Sequence, residues 1–287
     1  MKKNTLLILG FAFLLTISLS AQKFQGVAIY QSKTNIDIKL DSSRISSEQQ
    51  KRFQEMLKKQ FEKTYELNFN KTASTYKEQA KLAQPGGGQG GIRVMFAGAG
   101  GGDNLYYKDT KNKIYANQNE VFGKNFLIKD VLPKLEWKLE KETKMIGSYL
   151  CFKATTTQPM NEMGFRGRPR RGNDKEKDTE KKPKDTIAKT MEVTAWYTPQ
   201  IPVNHGPKEY WGLPGLILEV SYAKTMLLCT KIVINPKDKK AIVKPTKGKE
   251  VTQAVYDKMI KKKMEEMRER FGGKRRKGGG GVHIRIN

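Results

Sequence analysis

Histidine and cysteine are nearly missing from this chain, whose 287 residues hold two of each. His205 and His283 cannot form a His-x-x-x-His pair, and Cys151 and Cys229 make no Cys-x-x-Cys motif, so a multi-histidine zinc site is excluded. No Gly-x-Ser-x-Gly elbow is present to raise a nucleophilic serine. Cys–His catalysis would require Cys151 or Cys229 to lie beside His205, and both cysteines fall in strand-like segments where a small apolar filler is the commoner use. Gly86-x-Gly88-x-x-Gly91 fits a dinucleotide pattern through composition alone, since it follows no strand-plus-helix unit. The expectation is a protein with no cofactor, no metal and no catalytic residue.

Long apolar runs are also absent after the first twenty residues, so nothing later in the chain approaches the roughly 20 residues of a membrane-spanning helix. The first residues themselves form a three-part export pattern. Lys2 and Lys3 precede the apolar run Leu6 to Leu15, and Ser18-Leu19-Ser20-Ala21 leads into polar Gln22. Residues 1–21 therefore read as a secretory signal peptide cleaved after Ala21, with no nearby cysteine for lipid attachment. The mature protein is expected in a Gram-negative envelope, as a periplasmic, outer-membrane-associated or secreted chain without a membrane span.

Acidic residues are few, 29 against 55 Lys and Arg, giving a net charge of +26. Arg166 to Lys189 holds ten basic and five acidic residues, and Lys258 to Lys277 holds ten and three, so these two stretches supply +12. A basic surface attracts polyanions in a salt-dependent way. In an envelope the nearest polyanion is anionic lipid or polysaccharide. The Arg/Gly run Gly164 to Gly172 resembles nucleic-acid-binding segments, but the compartment argues against nucleic acid.

The remaining segments alternate apolar and polar residues, as half-buried strands do. Strands are expected at Phe24–Tyr30, Tyr65–Phe69, Thr72–Glu78, Leu105–Lys108, Lys113–Val121, Phe126–Lys129 and Leu135–Leu139. Further strands are expected at Met145–Thr155, Thr190–Thr198, Leu216–Tyr222 and Met226–Ile234. Ser46 and Gln49 suggest a capping box for a helix to about Lys63, with Phe53, Leu57 and Phe61 on one face. Thr252 is expected to cap a second helix ending at Phe271. The fold class is thus mainly β (α+β), an antiparallel meander-like curved sheet with two helices. One domain covers 22–271, interrupted by a Gly-rich loop at 84–102 and a basic insertion at 158–188, with a basic tail at 272–287. These three stretches hold too little apolar surface to offset the entropy of ordering them.

The most distinctive stretch runs through Ala195-Trp196-Tyr197-Thr198, Ile201-Pro202, Gly206-Pro207, Tyr210-Trp211 and Gly212-Leu213-Pro214-Gly215-Leu216-Ile217. It resembles the GLPGLI family of exported bacterial proteins, with further likeness at Ile146, Tyr149, Cys151, Lys153 and Ala154 and across 105–129. The resemblance implies export and a β-rich fold and brings no established activity. Physically, Pro214 fixes its own φ and extends Leu213, while Gly212 and Gly215 allow φ values other residues avoid. Gly212 to Ile217 therefore reads as a rigid turn delivering a buried strand, and Trp196, Tyr210 and Trp211 are the binding candidates. His205→Ala is expected to leave stability almost untouched. Cys151 and Cys229 are a disulfide candidate in an oxidising compartment, although intervening strands argue against the bond unless the sheet curves strongly.

The leading functional reading is a non-catalytic binding or accessory module acting on an envelope protein or anionic envelope component through residues 199–215. A periplasmic carrier of a lipid or lipoprotein in the curved sheet, and a hydrolase with a carboxylate pair, remain alternatives. A carrier needs an apolar concavity, an enzyme needs clustered carboxylates in a pocket, and a binding module needs an exposed recognition surface.

Overall fold

Alternation decides the architecture, because each strand has one face to bury and the chain has few helices with which to bury it. The computed structural model describes residues 24–34, 46–48, 51–52, 55, 62–79, 104–159 and 190–272. The strands are β1 (Gln25–Thr34), β2 (Thr64–Asn70), β3 (Ala73–Glu78), β4 (Leu105–Asp109), β5 (Ile114–Val121) and β6 (Lys124–Val131). They continue as β7 (Lys138–Ile146), β8 (Tyr149–Pro159), β9 (Thr190–Thr198), β10 (Leu216–Tyr222), β11 (Thr225–Ile234) and β12 (Lys249–Val251). Helix α1 (Gln253–Gly272) follows. All twelve strands join one sheet in the order β12-β6-β5-β4-β3-β2-β1-β11-β10-β9-β8-β7. Two-residue turns close β5–β6, β7–β8 and β10–β11, the tightest antiparallel connection.

The sheet is mainly β and almost wholly antiparallel, with one departure: β12 runs parallel to β6 at the edge. The strand expected at Leu135–Leu139 begins at Lys138 instead, and Leu139 and Met145 on it are exposed because β7 is the other edge. Of the two expected helices, the second is α1, where the Val255 amide donates to Thr252 Oγ1 at 3.4 Å. The first is described only at residues 47, 48, 51, 52 and 55, which are helical and exposed; its apolar residues lie outside the described residues. So do the expected signal peptide, the Gly-rich loop and all but one residue of the basic tail, and the basic insertion is described only at Gln158 and Pro159, which extend β8.

Register sets side chains in rows across the sheet, since directly paired residues share a face. One row runs Ala28, Leu67, Tyr76, Tyr106, Asn117, Ile128 and Val251. The next runs Gly26, Phe69, Ser74, Lys108, Tyr115 and Asp130. Toward β1 these rows are apolar and join Tyr30, Leu216, Leu218 and Cys229 in a core. Toward β5 they turn aromatic and polar. Here the face is covered by the loop between β9 and β10 and by the start of α1, where Tyr256 packs against Phe126. Among the described residues no helix is long and apolar enough to cross a membrane.

Candidate functional site

The loop joining β9 to β10 is pinned to the sheet along its length. The Leu216 amide donates to the Ile201 carbonyl at 3.0 Å and the Ile217 amide to the His205 carbonyl at 3.0 Å. Ile201, Val203, Tyr210 and Leu213 are buried. Gly212 adopts φ +94°, and a Cβ on Gly215 would sit 2.2 Å from the Thr198 carbonyl oxygen, so both glycines are required by backbone geometry. Leu213, Leu216 and Ile217 are anchors in the core, while Pro214 is exposed.

Lys108 of β4 holds this loop from below. It is fully buried, and its Nζ donates to the carbonyls of Gly206 at 2.5 Å and Tyr210 at 2.9 Å. Burial pushes its pKa down to about 7, against the opposing pull of Glu209. His205 is also fully buried, its ring tilted against Phe69 at 6.3 Å. Burial, and then the nearby Lys108, lower its pKa to about 3, so the ring is neutral. A ring so enclosed is part of the core, and His205→Ala would open a cavity; the expectation of a silent substitution does not hold.

The three aromatic candidates do not meet on one surface. Tyr210 is a core residue whose ring lies 5.9 Å from that of Tyr222. Trp211 is half-buried, with its indole N–H donating to the Pro133 carbonyl at 2.9 Å, while its own carbonyl accepts from the Trp137 indole at 2.8 Å. Trp196 packs elsewhere, beneath the Lys144 ammonium at 4.2 Å, which is itself paired to Glu219 at 2.7 Å. The two cysteines are free buried thiols. Strands β9 and β10 lie between theirs, yet both belong to one core cluster, so the sheet curves to bring them into one core without bridging them. Burial raises Cys151 to about 11 and Cys229 to about 12, which leaves both as thiols rather than nucleophilic thiolates.

What the loop does build is the wall of a concave pocket of about 580 Å³. Tyr65, Tyr76, Tyr106 and Tyr115 come from β2 to β5 in two stacked pairs, Tyr65–Tyr76 at 4.9 Å and Tyr106–Tyr115 at 5.3 Å. Asn104 precedes β4, and Asn117 and Asn119 follow Tyr115 along β5. The loop contributes Lys208 and Glu209, and α1 contributes Gln253 and Asp257. Lys208 holds a positive φ of 46°, a conformation that costs free energy in a residue with a Cβ. Burial would lower its pKa, but Tyr222, Glu209, Tyr65 and Glu78 more than compensate, and it stays cationic. Burial raises Tyr76, Tyr106 and Tyr115, with Glu209 adding to each, so the phenols remain neutral donors and acceptors. Glu78 is engaged by Lys63 at 2.8 Å, and Asp257 Oδ1 accepts from the Gln253 side-chain Nε2 at 2.8 Å. The lining is thus polar and aromatic rather than the apolar trough a lipid carrier needs. Among the described residues no cluster of three or more metal-ligating side chains occurs.

None of these pocket residues except those in the loop lies near the motif that stands out in the sequence. The available signal was Tyr115-x-Asn117-x-Asn119 with Asn104-x-Tyr106-x-Lys108: polar groups at alternate positions where a core-facing row should be apolar. No curated protein matches the chain. Two solved structures are similar to it, "Structure of PNGF-II in C2 space group" at 15% identity and TM-score 0.47, and "Structure of PNGF-II in P21 space group" at 14% and 0.46. Each alignment covers 83% of this chain and 33% of that chain, so the protein spans about a third of the length of either. Residues 137–219, which contain Gly212 to Ile217, match the family described as "Protein of unknown function (Porph_ging)".

Proposed function

We propose that this is an exported, non-catalytic binding module of the GLPGLI type, whose ligand site is the tyrosine-lined pocket. The observation that carries the reading is the convergence of four strands, the β9–β10 loop and the start of α1 on one polar cavity. Its volume falls within the roughly 300–1,000 Å³ of small-molecule sites. The loop serves as a rigid wall, through Lys208 and Glu209, and Trp211 with Trp137 holds that wall in place. Two of the three pocket carboxylates are tied to neighbours, which suits recognition better than acid–base chemistry. The basic surface supplies a second, salt-dependent attraction to anionic envelope lipid or polysaccharide and keeps the module near its site of action.

Thermal unfolding of the mature protein against a library of small polar metabolites tests the proposal. A ligand at a hundredfold its Kd adds about 2.7 kcal/mol and raises Tm by several degrees. Asn117→Trp, which fills the pocket, should abolish that shift. Stabilisers that act equally on Asn117→Trp, or a library ligand that is chemically converted, would overturn the reading.

A further inference from the structure

Two buried polar atoms of the pocket have no hydrogen-bond partner: the Tyr76 hydroxyl and Asn119 Oδ1. Tyr76 is only 4% exposed, so water does not satisfy it cheaply. An unsatisfied buried polar atom is costly, so in a native fold it calls for a partner. Both residues line the same cavity. Asn119 is oriented by its other end, since its Nδ2 donates to the Tyr256 hydroxyl at 2.6 Å and leaves Oδ1 fixed as an acceptor.

The charge of the pocket differs from that of the molecule around it. Its lining holds three carboxylates, Glu78, Glu209 and Asp257, against two lysines, Lys63 and Lys208, in a chain of net charge +26. An anionic ligand would be drawn to the outer surface and repelled here. An apolar ligand would strand the phenols, four side-chain amides and charged groups without partners. The group that suits such a lining carries many neutral donors and acceptors on a compact frame, with apolar C–H edges that lie against aromatic rings. On these grounds, and resting on the reading of this pocket as a binding site, we propose that its ligand is a neutral carbohydrate. Ligand hydroxyls accept from or donate to Tyr76 and donate to Asn119 Oδ1, replacing the missing partners.

The inference predicts an unusual pair of effects for Tyr76→Phe. Removing an unsatisfied hydroxyl raises the Tm of the free protein, while affinity for the carbohydrate falls about tenfold, the value of one hydrogen bond. The probes are neutral gluco-, manno- and galacto-oligosaccharides, with uronate-containing oligosaccharides of equal length as the anionic comparison, titrated by calorimetry. Binding of a neutral oligosaccharide, weakened by Tyr76→Phe and lost in Asn117→Trp, supports the assignment. Binding of only the uronate series would overturn it. So would a non-carbohydrate metabolite that stabilises the wild type and not Asn117→Trp, an outcome that leaves the pocket itself a binding site. No Asn117→Trp-sensitive ligand of any kind would sink the pocket reading and this assignment together.

Discussion

A methyl group at position 215 would lie 2.2 Å from a backbone oxygen of Thr198, a contact that no side-chain rotation relieves. Gly215→Ala should therefore cost about 2 kcal/mol or more, as overpacking against backbone does. Gly212→Ala meets only the Trp137 indole nitrogen, at 4.0 Å, but must adopt φ +94°, and should cost about 1 kcal/mol. Denaturant melts should rank the two in that order. Lys108 makes a second prediction at this scale. Its pKa is lowered from 10.5 to about 7 in the fold, so between those values the unfolded chain binds the extra proton and stability rises with pH. The slope approaches about 1.4 kcal/mol per pH unit. Melts from pH 7 to about 7.8, below the ordinary cysteine value of about 8.5 and the tyrosine value of about 10, should show this rise in the wild type and not in Lys108→Met. A flat wild-type profile would mean that the ammonium is not held in the buried site described. Neither Lys108 nor His205 could be read from sequence as buried. Lysine in a strand normally points to solvent, and only the loop folding back over β4 encloses it.

At the scale of elements, α1 is attached by its first turns. The Tyr115 hydroxyl donates to Gln253 Oε1 at 2.9 Å, the Gln253 amide to Asp130 Oδ2 at 3.1 Å, and Tyr256 is buried against Phe126. Tyr256→Ala should cost about 3 kcal/mol, and should release Asn119 as well, so it should weaken any pocket ligand. An equivalent change at exposed Lys262 should do neither. Circular dichroism melts and ligand titrations on both variants check this. Most strands were legible because alternation is a local signal. The β10 bounds, Leu216–Tyr222, match the expected ones, and those of β9 do too. Strand β12 was not legible, since three residues carry no period and its pairing with β6 lies 123 positions away (Lys249 with Phe126). The shift of β7 has a similar cause. Glu140 to Lys144 holds no apolar residue, so the expected strand stops at Leu139, yet an edge strand tolerates and even favours such residues. The pocket escaped detection because its members are neighbours only across the sheet, where register rather than sequence sets adjacency.

For the whole molecule, the junction of β8 and β9 offers the clearest test. Pro159 pairs directly with Thr190, so the two strands are already hairpin partners. Replacing residues 160–189 by an Asn-Gly turn should close that hairpin and leave Tm within a few degrees. A loss of cooperative unfolding would show that the excised segment belongs to the core. The order of the strands has a further consequence, for the time at which the chain can fold. Strand β1 sits in the interior of the sheet between β2 and β11, with Gly26 opposite Ile234. The N-terminal strand thus lacks one neighbour until a segment some two hundred residues later has been made. Closing so long a loop is slow compared with forming hairpins, and a ribosome-bound or partly synthesised chain has no eleventh strand to offer. The nascent polypeptide is therefore held loose by its own topology, with β1 left one-sided until β11 has been made, and the sheet can close only near the end of synthesis.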